Sequence, residues 1–398
     1  MIQFCKIALS RLFSGVRLLV ALALLLLLPA GMIYVNYTVD CSGYFQGEQY
    51  LRDVANMVLA GKDIVGYEKL NDLERDVMKI LANNMEPMPD YLALGSSRVL
   101  QLSRKVMKTD SFFNCGMTGG DARDVLDTFY LFDREDRLPE TIIIGFDPWL
   151  LRDDADAFDK RSDTALYATF LSEKLGIETT FEKPDAEQKW TALFSPSYFQ
   201  NNISYLQRDS DGADKPKPVS GNLYAQGTEV KCGDGSLLYT AEFRNQTQEA
   251  INFSALTTCN FVLRLEGYPK LGIKMPEVFD KFFAYAKERN VNIVLLLAPF
   301  HPIVYDHLVE NAEKYGGFMQ TEPAIRKLAA KYDFEVFGSY NPYAIDGVTE
   351  ADFYDGLHCT AGCLDKIIWG KGVTNPDAKA PTETVQTEKK TEKPTKKG

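Results

Sequence analysis

The stretch Asp90-Tyr-Leu-Ala-Leu-Gly-Ser-Ser-Arg98 sets the arrangement of the rest of the chain. Tyr91 to Leu94 is an apolar run of strand length, and Gly95-Ser96-Ser97 follows where a parallel strand would lead into a helix. A serine at that point lies at the carboxyl edge of a sheet, with its backbone N–H at a helix N-terminus that favours negative charge. This position suits an acyl-transfer nucleophile, although Gly-Ser-Ser is also an ordinary helix N-cap.

Further strand candidates alternate with helical segments along the chain. Continuous apolar runs such as Ile142-Ile-Ile144 are typical of strands that are buried on both faces, with helices as the crossovers between them. The pattern predicts an α/β fold, a doubly wound sandwich with a mostly parallel sheet. The predicted strands are Tyr91–Leu94, Ser111–Asn114, Thr141–Gly145, Asn292–Ala298 and Phe334–Phe337, and the predicted crossover helices include Asp121–Phe132 and Pro276–Arg289.

Two segments do not follow this alternation of strands and helices. Residues 36–88 have helical spacing of apolar positions, and we expect them to form a stalk or packing layer before the main domain at 89–372. Residues 151–270 interrupt the main domain, and a connection of that length is usually an inserted subdomain over the ligand-binding face. Within it the sequence predicts a helix at Ser197–Gln207 and a strand or hairpin arm at Leu237–Phe243.

The N-terminal region contains an uncharged apolar run at residues 18–35, preceded by Lys6, Arg11 and Arg17. The run is just long enough to span a bilayer core, and the positive-inside rule places residues 1–17 in the cytoplasm. The alternative is a cleaved signal peptide, but the run is longer than a usual signal core and lacks a clear cleavage site. Both interpretations place the folded part outside the cytoplasm, and the first predicts a single-pass cell-membrane protein.

Composition excludes several classes of protein. With 398 residues, of which 45% are hydrophobic, the chain is able to fill a substantial core. A net charge of −11 and a pI near 5.0 argue against a nucleic-acid partner. Residues 373–398 have almost no apolar side chains, so the sequence predicts a disordered tail.

Six of the seven cysteines follow the apolar run, in a compartment where disulfides persist. Cys232 with Cys259 and Cys359 with Cys363 are the nearest pairs in sequence, but spacing does not decide connectivity. The chain has no C-x-x-C motif and no neighbouring histidine pair. The sequence therefore predicts no metal site, and it suggests no cofactor.

The segment Phe353-Tyr-Asp-Gly-Leu-His358 contains a second group of candidate catalytic residues. Asp355 lies three residues before His358, so its carboxylate can accept a hydrogen bond from the Nδ1–H of the imidazole. Nε2 of His358 is then available to accept a proton. The segment follows the last predicted strand, and in a parallel sheet such a loop returns to the edge where Ser97 lies. His358 alone could be a surface histidine, but together the three residues predict a Ser-His-Asp triad.

Two further loops are expected at the same edge of the sheet. Asn114-Cys-Gly-Met-Thr-Gly-Gly120 follows the second strand, so backbone N–H groups such as that of Gly116 could face an oxyanion. Gly145-Phe-Asp-Pro-Trp149 ends the third strand and would point Asp147 at the same pocket.

These blocks resemble, in chain order, those of the SGNH/GDSL hydrolase superfamily over residues 88–150 and 290–370. Ser97 matches the nucleophile of the first block, and Asp355-x-x-His358 matches the last block. Ser96 replaces the aspartate that is usual in the first block. Asp147 stands where an asparagine side chain would donate to the oxyanion, and an ionised carboxylate there would oppose the developing charge unless it were protonated or turned away.

With its N-terminal anchor the chain is similar to the membrane-anchored branch of that superfamily, which includes proteins of teichoic-acid D-alanylation and alginate O-acetylation. The resemblance implies an SGNH-like three-layer sandwich and acyl transfer to or from an envelope glycopolymer or acylated sugar. It also implies a possible partner, a membrane-bound O-acyltransferase. The altered blocks support an alternative, a catalytically inactive module that binds envelope polymer or scaffolds an acylation complex.

Three other residues near the predicted site each have two alternative roles. Ser96 is an alternative nucleophile to Ser97. Arg98 could hold an anionic group of the substrate or form a structural ion pair. His301 follows a predicted strand, and its ring could contact substrate or pack at a strand-to-helix bend.

Overall fold

The computed structural model describes part of the chain, namely residues 27–40, 45, 47–66, 70–158, 161–179, 187–209, 216–370 and 373. The predicted cytoplasmic segment 1–17, the first half of the predicted anchor and nearly all of the predicted tail lie outside these residues.

The described residues form nine strands and fourteen helices. The strands are β1 (Asp63–Val65), β2 (Tyr91–Leu94), β3 (Phe112–Asn114), β4 (Thr141–Gly145), β5 (Lys217–Val219), β6 (Val230–Lys231), β7 (Leu237–Leu238), β8 (Asn292–Leu297) and β9 (Glu335–Gly338). The helices are α1 (residues 27–38), α2 (Gly47–Leu59), α3 (Leu70–Asn84), α4 (Arg104–Met107), α5 (Ala122–Asp133), α6 (Thr164–Glu173), α7 (Glu187–Leu193), α8 (Pro196–Asp209), α9 (Ala241–Arg244), α10 (Gln248–Thr258), α11 (Lys274–Glu288), α12 (Pro302–Glu310), α13 (Gly316–Lys331) and α14 (Ala361–Trp369).

The central sheet is parallel throughout, in the order β3-β2-β4-β8-β9. The predicted α/β fold with a parallel sheet is confirmed, and each of the five predicted strands lies within one residue of its predicted bounds. The strand order is compatible with a doubly wound fold. In such a sheet ligands bind beyond the carboxyl ends of the strands where the order reverses, which here is between β2 and β4.

Successive residues of the central strands enter two different cores, one on each face of the sheet. Leu92 and Leu94 of β2 pack in the larger core with α3, α5, α11 and α13, whereas Ala93 packs in the smaller core with α4 and α14. Burial on both faces explains why these strands are continuously apolar rather than alternating. Layers of helices thus lie on both sides of the sheet.

The segment predicted as a helical stalk contains a strand as well as helices. β1 pairs antiparallel with β5 and β6 of the 151–270 segment, in a second sheet of order β5-β1-β6-β7. The helical prediction was wrong here because the partners of β1 lie more than 150 residues away, beyond the reach of a local pattern. α2 and α3 pack into the larger core.

The described part of helix α1, residues 27–38, overlaps the second half of the predicted anchor. Leu27 and Leu28 are exposed, whereas Asn36 near its end is fully buried. A search of the described residues finds no helix that combines the length and the apolar character needed to cross a bilayer.

Asp127 of α5 is a buried carboxyl group whose two oxygens have no hydrogen-bond partner in the described part of the chain. Burial raises the pKa of this carboxyl well above its ordinary value of 3.8. The neighbouring carboxylates of Asp124, Asp163 and Asp121 raise it further, and Arg123 opposes the shift. The folded protein therefore keeps a proton on Asp127 at pH values where the unfolded chain has released it.

We expect Asp127→Asn to raise the Tm by a few degrees in mildly alkaline solution and by much less near pH 4. A carboxyl group whose pKa is raised by folding lowers the stability of the folded protein as the pH increases above the pKa of that group in the unfolded chain. Asparagine does not titrate and lacks this pH dependence. Differential scanning calorimetry of both proteins across this pH range measures the effect. A Tm difference that is the same at all pH values would contradict a protonated Asp127.

Candidate active site

Ser97 lies at the carboxyl end of β2, in a 3₁₀ turn at Ser97–Val99. Gly95 makes the sharp exit from the strand with a φ of +147°, and a Cβ there would lie 3.1 Å from the carbonyl oxygen of Gly145 in β4. Ser96 caps the turn, because its Oγ accepts the N–H of Arg98 at 3.2 Å. This local geometry directs Ser97, rather than Ser96, to the partly exposed edge of the sheet.

The structure brings the three predicted triad residues together. The Oγ of Ser97 lies 2.8 Å from Nε2 of His358, and Nδ1 of His358 lies 2.8 Å from Oδ2 of Asp355. The other carboxylate oxygen of Asp355 accepts the backbone N–H groups of Leu357 and His358, each at 2.7 Å. Asp355 thus fixes both the ring and the backbone of the histidine loop, and its acceptor position places the Nδ1 proton between the two residues.

The carboxyl group of Asp355 is suited to remain ionised. Burial acts to raise its pKa, but the His358 ring and the two backbone N–H bonds outweigh burial, so the pKa lies below its ordinary value. The side chains of Asp355 and His358 are 18% and 22% exposed. An ionised carboxylate at this place stabilises the imidazolium that forms when His358 takes a proton from Ser97.

Arg98 is buried beneath the site, and it is not available to hold a substrate anion. Its side chain is 2% exposed, with Nη1 3.1 Å from Oδ1 of Asp147. Its Nη2 donates to the carbonyl oxygens of Ala298 and Pro299 at 2.6 and 2.8 Å, and its Nε donates to that of Leu357 at 3.1 Å. Arg98 therefore joins the ends of β2, β4 and β8 to the loop that carries His358.

Asp147 is turned away from the nucleophile, which corrects the expectation that it points into the pocket. Its carboxylate is 95% buried and bonds with Arg98 and with the hydroxyl group of Ser96. Burial raises the pKa of Asp147, and Arg98 and Ser96 oppose that shift. Ser96 is itself 3% exposed, so it belongs to this buried network and is not placed as a nucleophile.

The backbone of Gly116 is not positioned as an oxyanion donor, contrary to expectation. Its N–H donates to the side chain of Asn114 at 2.7 Å, and the next residues of this loop are also engaged. The N–H of Met117 donates to the Gly95 carbonyl oxygen at 3.0 Å, and that of Thr118 to Glu74 at 2.7 Å. Of the two amides expected to bind the oxyanion, only that of Ser97 has no acceptor among the described residues.

His301 lies behind the histidine loop instead of in the cleft. His301 is fully buried. Its Nδ1 accepts the backbone N–H of Ile303 at 3.2 Å, and its ring packs edge-on against Phe353. Its backbone N–H donates to the carbonyl oxygen of Gly356 at 3.2 Å. Burial lowers the pKa of this imidazole. His301 therefore supports the Asp355–His358 loop and does not line the cleft beside Ser97.

A cleft of about 400 Å³ opens beside Ser97 and His358. One wall comes from the 151–270 segment, with Leu237, Tyr239, Thr240 and Phe243. This segment is attached to the central sheet, because the N–H of Leu237 donates to the Leu100 carbonyl oxygen at 2.8 Å. The segment thus lies over the edge of the sheet that carries Ser97.

Tyr239 contacts the triad directly, although the sequence analysis did not single it out. Its hydroxyl group donates to the Ser97 carbonyl oxygen at 3.3 Å, and its ring lies edge-on to those of His358 and Tyr354. Only the apolar and aromatic side chains of the predicted strand or hairpin arm at Leu237–Phe243 could have indicated it, and such side chains are more often core. The contact identifies Tyr239 as a residue that positions Ser97 and His358.

We expect Tyr239→Ala to lower kcat for an aryl acetate by about 10-fold or more, because a small displacement of the His358 ring weakens proton transfer. Tyr239→Phe should retain most activity, since it removes a single long hydrogen bond. Steady-state kinetics on the two variants measure the difference. Tyr354→Ala is the matched control, because Tyr354 packs on Tyr239 rather than on the His358 ring; an equal loss there would contradict a specific role for Tyr239.

Cysteines and metal-binding groups add little to the site. Five cysteines in the described residues are free thiols, so neither sequence-adjacent pair forms a disulfide: Cys115, Cys232, Cys259, Cys359 and Cys363. No cluster of three or more His, Cys, Asp or Glu side chains in the described ranges could hold a metal ion.

Comparison with known proteins does not assign a function. No protein-family model matches this sequence, and no curated protein is found to be similar to it. What the site does chemically is therefore inferred from its own geometry.

Proposed function

We propose that this chain is an SGNH-type serine acyltransferase or esterase that works through an acyl-enzyme on Ser97. The observation that carries the proposal is the continuous hydrogen-bonded series from the Ser97 hydroxyl group through His358 to Asp355, at 2.8 Å for each side-chain contact. Nucleophile, base and orienting carboxylate have the order and spacing that such chemistry requires.

In the proposed reaction His358 accepts the Ser97 proton as Oγ attacks the carbonyl carbon of an ester. The N–H of Ser97 donates to the oxyanion, and His358 returns the proton to the departing alcohol, which leaves an acyl-enzyme. A sugar hydroxyl group or water then attacks the acyl-enzyme while His358 again takes and returns a proton. Transfer and hydrolysis differ only in the second acceptor.

The proposed substrate is an envelope glycopolymer or an acylated sugar, and the proposed location is the outer side of a cell membrane. Support comes from the superfamily resemblance, from the uncharged run at 18–35 after basic residues, and from the aromatic side chains in the cleft wall, which suit the apolar faces of sugar rings. A membrane-bound O-acyltransferase is the proposed partner that supplies or receives the acyl group.

Acetylated and unacetylated envelope oligosaccharides test this proposal. We expect the purified full chain to release acetate, or to move acetyl groups to the unacetylated sugar, and we expect Ser97→Ala to do neither. Mass spectrometry of the sugars distinguishes transfer from hydrolysis. Equal acetyl turnover by wild type and Ser97→Ala would contradict the proposal.

A second candidate is a catalytically inactive module that binds the same polymer. It is favoured by the engaged N–H of Gly116 and the inward-facing Asp147, which leave one of the expected oxyanion donors in place. Losing one such donor typically costs about 10²–10³-fold in kcat. Sugar binding by wild type without Ser97-dependent turnover would support this candidate.

A further inference from the structure

The end of helix α1 is fastened to helices α7 and α8 by a buried polar contact. The side-chain amide of Asn36 donates to the carbonyl oxygens of Leu193, Ala192 and Ser195, at 2.9, 3.2 and 3.2 Å. Leu193 is the last residue of α7, where backbone carbonyl groups lack helical partners, and Ser195 directly precedes α8. Asn36 thus caps α7 from a distance of more than 150 residues in sequence.

Two more bonds fix α8 in the same position. The side-chain amide of Asn202 donates to Oδ1 of Asn36 at 3.1 Å, and the hydroxyl group of Tyr198 donates to Oδ1 of Asp40 at 2.7 Å. Asn36 and Asn202 are fully buried. These buried hydrogen bonds hold α7 and α8 beside the end of the apolar N-terminal run.

The outer surface of this junction is aromatic and uncharged. Trp190, Phe194 and Tyr34 are 63%, 61% and 68% exposed, and Tyr37 and Leu206 are exposed nearby. The sequence has no charged residue between Lys189 and Arg208, although a quarter of the whole chain is charged. Large exposed aromatic side chains in an uncharged stretch are typical of protein surfaces at a membrane–water interface.

We propose that α7, α8 and the end of α1 form a lipid-contacting surface that seats the domain on the bilayer into which residues 18–35 insert. This inference rests on the anchor that is part of the proposed function, but not on the chemistry at Ser97. The apolar run ends beside the uncharged stretch 190–207, so a membrane that receives the run would meet the exposed aromatic side chains of that stretch. At the boundary between headgroups and acyl chains, tryptophan and tyrosine place their rings among the acyl chains and their polar groups among the headgroups.

Tryptophan fluorescence of the full chain in phospholipid nanodiscs tests the proposal. The lipids carry bromine on the upper part of the acyl chain, which quenches tryptophans in contact with it. Trp369 is the matched control, because it is 48% exposed on α14 and bonds to the carbonyl oxygen of Val106 in α4, on a different part of the fold. We expect quenching to be retained in Trp369→Phe and largely lost in Trp190→Phe.

Aqueous iodide gives the complementary measurement. We expect the Trp190 emission to be shielded from iodide in nanodiscs, despite the exposure of that side chain on the protein. Equal bromolipid quenching in wild type and Trp190→Phe would overturn the proposal, as would failure of the chain to enter nanodiscs. Shielding from iodide without bromolipid quenching would also overturn it, since another protein surface would then cover Trp190.

The readout is independent of catalysis. Trp190→Phe lies outside the cleft and should label at Ser97 with an active-site phosphonate as wild type does. A chain that fails to label but shows the expected quenching would contradict the proposed function alone, and the opposite result would contradict the lipid surface alone.

Discussion

Ser97→Ala is expected to abolish covalent labelling by a fluorophosphonate and to lower acetyl-ester turnover by at least about 10³-fold. The reason is that Ser97 Oγ is the hydroxyl group 2.8 Å from Nε2 of His358, and alanine removes the atom that would carry the acyl group. The substitution removes one partly exposed hydroxyl group, so the Tm should change little. Gel fluorescence and initial rates give the two measurements.

Ser96→Ala is the matched control for this prediction. It removes a neighbouring hydroxyl group that caps the turn and bonds Asp147, so we expect a loss of stability of about 0.5–2 kcal/mol with labelling retained. Loss of labelling in Ser96→Ala with labelling preserved in Ser97→Ala would reverse the assignment of the nucleophile.

Arg98→Met is expected to lower the free energy of unfolding by about 3–5 kcal/mol. The substitution leaves the buried Asp147 carboxylate without its cation and removes the donors to three carbonyl oxygens. Because one of those oxygens belongs to Leu357, the residue before His358, the protein that remains folded should also lose activity. Urea denaturation followed by circular dichroism measures stability, and labelling of Ser97 measures the effect on the site.

Asp147→Asn separates charge from geometry in the same network. Asparagine keeps an oxygen that can accept from Arg98, while the guanidinium keeps its carbonyl acceptors, so we expect a clearly smaller loss than in Arg98→Met. A stability of Arg98→Met within about 1 kcal/mol of wild type would contradict the structural role of Arg98.

The central sheet could be predicted from sequence because its strands are buried on both faces. Burial of this kind demands continuous apolar runs, and the short, β-branched run Ile142-Ile-Ile144 favours a strand over a helix. The triad residues could be found for a related reason. A parallel sheet brings the carboxyl ends of its strands to one edge. Ser97 and His358, which are 261 positions apart, can therefore be expected to meet at that edge.

The pairing of β1 with the 151–270 segment could not be predicted in the same way. β1 is three residues long, and its partners are specified by tertiary contacts rather than by local spacing. The wall residue Tyr239 was missed for the same reason, since its contact with Ser97 depends on how the inserted segment docks.

The expected oxyanion donors show a different limit of sequence patterns. A pattern places Asp147 and Gly116 near the site, but it does not show where their polar groups point. Arg98 and Ser96 draw the carboxylate inward, and the side chain of Asn114 takes the Gly116 N–H. Hydrogen-bond partners of this kind are set by the packed structure, and they leave the Ser97 N–H as the expected donor with no acceptor in the described part of the chain.

Rapid-quench mass spectrometry of the full chain mixed with p-nitrophenyl acetate tests the acyl-enzyme on Ser97 most directly. We expect an acetyl group on the peptide that contains Ser97 at early times, its disappearance when substrate is exhausted, and no acetyl group on that peptide in His358→Ala. Acetylation of a different residue, or turnover that persists in wild type without any acetyl group on Ser97, would contradict the mechanism.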